Sequence, residues 1–214
     1  MSIKMSNKGF FITIEGCEGA GKSTQLKKLE EFLQKSGKEF IFTREPGGTR
    51  IAEQIRKIIL DGENVEMCDE TEALLYASAR VQHIKEKIIP SKEEGKIVIC
   101  DRYIDSSFAY QAFARGLGMD FVKGVNVYAV KNCMPDLTLF LDISPEEAFI
   151  RKGGADINDR LEQSGIAFHK KVYEGYISLA KSEPQRIAVV NARLSADEVF
   201  EEIIKILKER KIVD

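Results

Sequence analysis

The sequence is poor in residues that build disulfides or zinc sites. It has four widely separated cysteines and no Cys-x-x-Cys pair: Cys17, Cys68, Cys100 and Cys133. This distribution argues against a disulfide framework and against a zinc centre. The two histidines, His83 and His169, show no metal-ligand spacing. We interpret both as ordinary surface or helix histidines.

Basic charge and long apolar runs are also missing. The formal net charge is -2, which argues against a protein that coats nucleic acid, because such proteins cluster Lys and Arg. A local basic pocket remains compatible with this value. Residues 1–8 are polar, and no long apolar run follows them. We therefore expect neither a signal peptide nor a membrane span, and a cytoplasmic protein.

Five short runs rich in Ile, Val and Phe predict β-strands. They lie at residues 10–15, 39–43, 96–101, 137–142 and 186–191. None of them alternates cleanly between apolar and polar residues, and continuous apolar runs are typical of strands buried on both faces of a parallel sheet.

Helical patterns separate these strands. We predict helices at 22–36, 51–60, 70–89 (ending at Pro90), from Ser144 or Pro145 onward, at 164–181 and at 195–211. In the last one, Ser195 and Glu198 form a capping-box pattern. Strands that alternate with helices predict a three-layer α/β fold with a five-stranded, doubly wound parallel sheet. The 214 residues suit a single domain.

Residues 16–23 carry the strongest functional signal, because they match G-x-x-x-x-G-K-[ST] between a predicted strand and a predicted helix. In this P-loop, glycines let successive backbone N–H groups face phosphates, and the helix adds its positive end. Lys22 is expected to reach the β- and γ-phosphates, and Ser23 to hold Mg²⁺. The predicted ATP-binding residues are Gly16, Cys17, Glu18, Gly19, Ala20, Gly21, Lys22, Ser23 and Thr24.

A second acidic position supports a magnesium site. Asp101 ends the predicted strand 96–101, and in P-loop proteins such an aspartate serves the metal directly or through water. A GTPase would need a guanine-reading Asn-Lys-x-Asp, which the sequence lacks. The chain is short for a motor or transporter ATPase and shows no repeat. These features favour a kinase of a small molecule.

Several arginines lie where loops should meet the carboxyl edge of the sheet, the usual ligand side. They are Arg44, Arg80, Arg102, Arg151 and Arg160. The last two flank a polar segment with a double glycine, and residues 150–161 are either a mobile lid that closes on phosphates or an exposed loop. Tyr76 precedes Arg80 by one helical turn. This pair either stacks and reads a base, or places a ring in the core beside an arginine paired with an acid.

These pieces together resemble the bacterial thymidylate kinases along nearly the whole chain. The resemblance rests on residues 14–24 (IEGCEGAGKST), 43–49 (TREPGGT), 74–80 (LLYASAR), 101–111 (DRYIDSSFAYQ) and 159–163 (DRLEQ). The P-loop alone occurs in many functions, whereas the second and fourth segments together are far more specific.

The resemblance implies a nucleoside-monophosphate-kinase fold, a homodimer and the reaction ATP + dTMP → ADP + dTDP with Mg²⁺, a step of nucleotide biosynthesis. It assigns acceptor-binding roles to Glu18 (sugar 3′-hydroxyl), Tyr76 (thymine stacking, where the family usually has Phe), Arg80 (thymine edge), Arg102 (acceptor phosphate), Ser107 and Gln111 (base and sugar) and Tyr110 (selection of deoxyribose).

The catalytic cations implied are Lys22, Arg102, Arg151 and Arg160, and the metal-binding residues are Ser23 and Asp101. Some family members carry arginine at the position of Gly19. The glycine here resembles members that supply positive charge from the lid, where Arg151, Lys152 and Arg160 are the candidates.

Some alternatives stay open at this point. Arg44 and Glu45 either contact the acceptor or only shape its loop, and Arg56 is a further candidate. A kinase of another nucleotide or of a deoxynucleoside would use the same scaffold. A regulatory ATP-binding module is the distant alternative, against which Lys22, Asp101 and Arg102 argue.

Overall fold

The fold is built around a parallel β-sheet whose central strand leads into the P-loop. The computed structural model describes residues 9–153, 160–161 and 164–214. Within them the five strands are β1 (Phe10–Glu15), β2 (Phe40–Arg44), β3 (Ile97–Asp101), β4 (Leu137–Asp142) and β5 (Ile187–Asn191). Their order is β2-β3-β1-β4-β5, and every neighbouring pair is parallel. The predicted doubly wound five-stranded sheet is confirmed.

Helices cover both faces of the sheet. They are α1 (Lys22–Ser36), α2 (Arg50–Leu60), α3 (Asp69–His83), α4 (Ile89–Glu93), α5 (Ile104–Ser107), α6 (Met119–Val125), α7 (Val127–Asn132), α8 (Pro145–Lys152), α9 (Gly165–Ser182) and α10 (Ala196–Glu209). Two π-helical segments, Ile84–Ile88 and Phe108–Ala114, connect α3 to α4 and follow α5. We call Phe108–Ala114 the π segment. None of the described helices is long and apolar enough to cross a membrane.

The strand order places a topological switch point at β1. Its two neighbours are β3 and β4, so β2 and β3 lie on one side of β1 and β4 and β5 lie on the other. Ligands of open α/β sheets bind at the carboxyl ends of the strands around such a point. The register pairs Ile14 with Asp101, so the P-loop that follows β1 lies next to Arg102, which follows β3.

Burial follows position in the sheet. The central strands β1, β3 and β4 are almost wholly buried, whereas β2 and β5 form the edges and are partly exposed. The prediction that all five strands are buried on both faces is therefore wrong for β2 and β5, since an edge strand has a neighbour on one side only. Two apolar clusters pack on the faces of the sheet, one of them against α1 and α10.

Most helix predictions agree with the structure within two residues, and both α1 and the capping box of α10 are confirmed. Pro90, however, does not end the helix that precedes it. The chain passes through the π-helical segment Ile84–Ile88, and Pro90 occupies the first turn of α4. A proline is tolerated there because the first-turn N–H groups of a helix have no partner inside the helix.

Both histidines lie on helices, yet neither is on the surface. His83 and His169 are 0 % and 1 % exposed. The ring of His169 makes edge-on contacts with Phe149 and Phe168. Of the two alternatives, surface or helix, the helix one is confirmed, and the burial of both rings was not expected, because helical periodicity alone does not reveal a packed position.

Candidate active site

A cavity of about 530 Å³ opens at the carboxyl edge of the sheet. It brings together most of the residues singled out in the sequence: Glu18, Gly19, Gly21, Lys22, Ser23, Thr24, Tyr76, Arg80, Asp101, Arg102, Ser107, Tyr110, Gln111 and Arg151. Arg44, Glu45, Arg56 and Lys152 line it too. Cys17 is 2 % exposed and packs in the apolar core, so its side chain lies away from the cavity.

The P-loop has the backbone conformation that its glycines permit. Gly16, Gly19 and Gly21 have φ values of 144°, 83° and 95°, where a side chain would be strained. Gly21 is the N-cap of α1 and has no side chain to satisfy the first N–H groups of that helix. Since Lys22, Ser23 and Thr24 line the cavity, the positive end of α1 is directed at it, as phosphate binding requires.

Gly19 is also a packing site for α8. A Cβ atom built on Gly19 would lie 2.1 Å from the Ala148 carbonyl oxygen and 3.2 Å from the Lys152 Cβ. Helix α8 thus occupies the space into which a side chain at position 19 would project. This contact explains in physical terms why this chain has glycine rather than arginine there.

Lys22 lies under the P-loop and is almost fully buried. Its Nζ donates to the Gly16 and Cys17 carbonyl oxygens at 3.3 and 3.1 Å. Burial lowers the pKa of Lys22, and the nearby positive charge of Arg102 lowers it further. Two neighbouring cations in a partly desolvated cleft make a strong site for a polyanion.

Glu18 stands between these cations. Its carboxylate accepts a hydrogen bond from Arg102 and lies 3.7 Å from Lys22 Nζ. The charge of Arg102, followed by that of Lys22, holds the pKa of Glu18 well below its usual range. Glu18 is therefore ionised at neutral pH and can accept a hydrogen bond from a hydroxyl group of a ligand.

Arg102 adopts a backbone conformation that is unusual for a residue with a side chain. Its φ is 63°, and its N–H donates to the Ile14 carbonyl oxygen at 3.0 Å. Its guanidinium also contacts the Ser106 and Tyr176 hydroxyls at 3.4 and 3.3 Å and lies over the Tyr110 ring. Strain of this kind persists where the surroundings fix a functional side chain, and here it aims Arg102 into the cavity.

Glu15 binds the two hydroxyl groups that also contact Arg102, those of Ser106 and Tyr176, and was not singled out in the sequence. Its carboxylate accepts hydrogen bonds of 2.7 Å from the Tyr103 backbone N–H and from the Ser106 and Tyr176 hydroxyls. Burial, with a smaller contribution from Asp105, raises the pKa of Glu15 to about 7. Glu15 is the last residue of β1, and the apolar run alone does not show that its carboxylate is buried.

Arg80 lines the half of the cavity that also contains Tyr76, and it is 1 % exposed. It donates to Glu45 at 2.7 Å, to Ser107 at 3.0 Å and to the Tyr103 carbonyl oxygen at 3.2 Å. A further hydrogen bond goes to Asn126. The alternative in which Arg80 pairs with an acid is confirmed. Arg80 and Tyr76 also line the cavity, so their reading of a base stays a prediction.

Glu45 and Arg44 diverge. Glu45 is 4 % exposed. One of its carboxylate oxygens accepts the hydrogen bond from Arg80, and the other lies 3.0 Å from His83 Nδ1. His83 Nε2 in turn lies 2.7 Å from the Thr43 hydroxyl. Arg44 instead pairs with the exposed side of Glu53 at 2.8 Å. Glu45 therefore shapes, through Arg80, the half of the cavity that contains Tyr76.

The two arginines of the predicted lid contact different parts of the fold. Arg151 donates to the Ala192 and Arg193 carbonyl oxygens, the latter at 2.9 Å, beyond β5. Arg160 donates to the Ile59 carbonyl oxygen at 3.1 Å and to Glu72. Arg151 and Lys152 line the cavity, whereas Arg160 is absent from its lining. Residues 154–159, the middle of the predicted lid, lie outside the described residues.

Ser23 and Asp101 suit the predicted magnesium ion. Both line the cavity, and the Asp101 Oδ1 is buried with no hydrogen-bond partner within the described part of the chain. A hydroxyl and a carboxylate are hard oxygen ligands, and Mg²⁺ is commonly held by one or two such groups together with phosphates and waters. Among the described residues, no cluster of three His, Cys, Asp or Glu side chains could form an all-protein metal site.

Comparison with known proteins is consistent with this geometry. A family model described as Thymidylate kinase matches residues 14–203. The chain is 52 % identical over 204 residues to a thymidylate kinase of Clostridium novyi (strain NT), covering 94 % of this chain and 100 % of that protein. It is 49 % identical over 210 residues to one of Shouchella clausii (strain KSM-K16), covering 95 % and 99 %. It is 46 % identical over 203 residues to one of Finegoldia magna, covering 95 % and 100 %.

Proposed function

Because the chain belongs to the thymidylate kinase family, a family of nucleoside monophosphate kinases, we propose that it transfers the γ-phosphoryl group of ATP to dTMP and forms ADP and dTDP. The observation that carries this proposal is one cavity that joins a P-loop to a buried arginine beside an aromatic ring. Lys22 and Arg102 lie on its phosphate side, and Tyr76 and Arg80 on its acceptor side.

On the phosphate side, the P-loop amides and Lys22 bind the β- and γ-phosphates of ATP. Ser23 and the unpaired Oδ1 of Asp101 would hold Mg²⁺. When bound, this ion neutralises phosphate charge. Arg151 and Lys152 are the described cations of α8 that can approach the nucleotide.

On the acceptor side, Tyr76 stacks on the thymine and Arg80 donates to its edge. Tyr110 packs beneath the guanidinium of Arg102 and fills space next to the sugar. The Arg102–Glu18 pair joins the two sides. The acceptor phosphate competes with Glu18 for the guanidinium of Arg102. Once the phosphate is bound there, the Glu18 carboxylate accepts a hydrogen bond from the sugar 3′-hydroxyl.

The chemistry needs positioning and charge neutralisation more than proton transfer. The acceptor phosphate is already a nucleophile, so no general base is required. Lys22 and Arg102 stabilise the charge spread over the transferring phosphoryl group. Their fixed positions hold the reacting atoms in line.

The experiment that tests the proposal measures ADP release from ATP and Mg²⁺ with dTMP, dUMP, dCMP or thymidine as acceptor. Rapid ADP release with dTMP, slower release with the other acceptors and almost none without acceptor would support it. Turnover with thymidine alone would indicate a deoxynucleoside kinase. ATP binding without any acceptor-dependent release would indicate a regulatory module.

Three further properties stay predictions. They are a homodimer, a cytoplasmic location and the lack of nucleic-acid ligands. Equilibrium sedimentation at micromolar concentration tests the first, with a mass twice that of the 24.1 kDa chain as the expected result.

A further inference from the structure

Glu72 is a buried acid at the acceptor end of the cavity that the proposed function leaves without a role. It lies in the first turn of α3 and is 0 % exposed. Tyr76 and Arg80 follow it at spacings of four residues, so the three side chains share one face of the helix. This face is the one that borders the acceptor half of the cavity, where Tyr76 and Arg80 lie.

Glu72 fixes the orientation of a neighbouring amide. The side-chain amide of Gln111, on the π segment, lies beside Glu72. The distance from its Nε2 to Oε1 of the Glu72 carboxylate is 2.8 Å. A carboxylate only accepts hydrogen bonds, so the side of the Gln111 amide that faces Glu72 must be its NH₂ group. Among the described residues, no group donates to Oε1, the side-chain oxygen of Gln111.

Two guanidinium groups hold the carboxylate in place. Arg115 donates to Glu72 Oε2 at 3.0 Å, and Arg160 donates to the same oxygen. Arg115 also lies over the Phe168 ring with its central carbon 4.6 Å from the ring centroid. The partner charges and the packing leave Glu72 little freedom to rotate, so its hold on Gln111 is rigid.

Gln111 lines the cavity, and Glu72 holds one N–H of its side-chain amide. The side-chain oxygen has no partner within the described part of the chain and can accept a hydrogen bond from a ligand. Thymine and uracil carry a donor, N3–H, on the edge that pairs with other bases, whereas neutral cytosine carries an acceptor at N3. An acceptor fixed at this point attracts the first two bases and repels the third. A freely rotating glutamine would serve all three.

We propose that Glu72 is a positioning residue that locks the Gln111 amide with its oxygen toward the base, and that it thereby makes the enzyme discriminate against cytosine nucleotides. This inference rests on the proposed function. It concerns base selection only and assigns no chemical step to Glu72.

The test compares kcat/KM for dTMP, dUMP and dCMP in wild-type protein and in Glu72→Gln. Glutamine at position 72 both donates and accepts, so it no longer dictates the orientation of the Gln111 amide. The dTMP/dCMP ratio is expected to fall ~10-fold, about the value of one hydrogen bond. The dTMP/dUMP ratio is expected to stay unchanged, because both bases carry N3–H.

Asp69→Asn is the matched control, since Asp69 is a half-exposed acid in the same turn of α3 that pairs with Arg115 at 3.2 Å rather than with Gln111. Its dTMP/dCMP ratio should equal that of the wild type. A folded Glu72→Gln protein with an unchanged dTMP/dCMP ratio, or with both ratios lowered together, would overturn the inference.

Gln111→Leu keeps the test decisive if Glu72→Gln does not fold. It removes the amide and should lower the dTMP/dCMP ratio while leaving the dTMP/dUMP ratio intact; an unchanged dTMP/dCMP ratio would also overturn the inference. Failure of the wild-type protein to phosphorylate dTMP would instead refute the proposed function, so the two failures are distinguishable.

Discussion

Gly19 and Ala148 are packed so closely that a Cβ on the glycine would lie 2.1 Å from the alanine carbonyl oxygen. The P-loop and α8 therefore fit together through the absence of a side chain. Contacts of this length are not tolerated, so any substitution at position 19 must displace the backbone of α8.

We predict that Gly19→Ala destabilises the fold more than Gly37→Ala. Gly37 also has a positive φ, 69°, but open space around its Cβ position. Gly37→Ala should lower the free energy of unfolding by backbone strain alone, about 1 kcal/mol. Gly19→Ala should add an overpacking cost of about 1–3 kcal/mol. Urea unfolding of both variants checks this. Equal losses of unfolding free energy would contradict the prediction, because they would show that α8 moves away from the new Cβ with no loss of stability.

Lys22→Ala and Arg102→Ala should each lower kcat ~10³-fold, because each removes a cation that stabilises charge in the transition state. Lys28→Ala is the control on α1, since Lys28 pairs with the exposed Asp197 and lies away from the lining of the cavity. Its kcat should equal that of the wild type. Near-normal turnover in either site variant, with circular dichroism showing an intact fold, would remove that residue from the mechanism.

Glu15 should make stability depend on pH. Its pKa in the folded protein is about 7, above the ordinary 4.5, so between these values the folded state keeps a proton that the unfolded chain releases. The stabilising contribution is thus complete at low pH and is lost as pH rises through about 7.

Between about pH 5 and pH 8, the wild type should therefore lose about 3 kcal/mol of unfolding free energy relative to Glu15→Gln. Chemical unfolding of both proteins at several pH values measures this difference. A constant difference across the range would show that Glu15 titrates normally.

Glu45→Gln should raise KM for dTMP about 10-fold or more and lower stability by about 3 kcal/mol, because it leaves the buried Arg80 without its charged partner. Glu94→Gln is the control, since Glu94 is largely exposed, pairs with Lys96 and lies away from the lining of the cavity, and such pairs contribute little. KM for ATP should stay the same in both variants. If the two variants behave alike, Arg80 does not depend on Glu45.

The sequence allowed the fold to be predicted well where local chemistry decides it. Apolar runs located the strands, and the capping pattern of Ser195 and Glu198 located the start of α10. Residues 104–132 gave no helix prediction, although α5, the π segment, α6 and α7 lie there. Their conformation is set by packing, as between α9 and the π segment, where a Cβ on Gly175 would lie 3.1 Å from the Ala109 Cα.

The sequence predicted those residues of the candidate site that belong to recognisable motifs. They supplied Lys22, Asp101 and Arg102, and the cavity contains all three. Glu15 and Glu72 were missed because each acid is buried through partners distant in sequence, such as Tyr176 and Gln111. Single-chain periodicity carries no signal for such contacts.

The central claim is tested most directly by following the γ-phosphoryl group itself. Wild-type protein is incubated with Mg²⁺, γ-labelled ATP and dTMP, and the labelled products are separated. We predict that the label appears in dTDP, and that Lys22→Ala slows this transfer ~10³-fold. Label that remains in ATP, or that appears only as inorganic phosphate, would contradict the claim for a correctly folded protein.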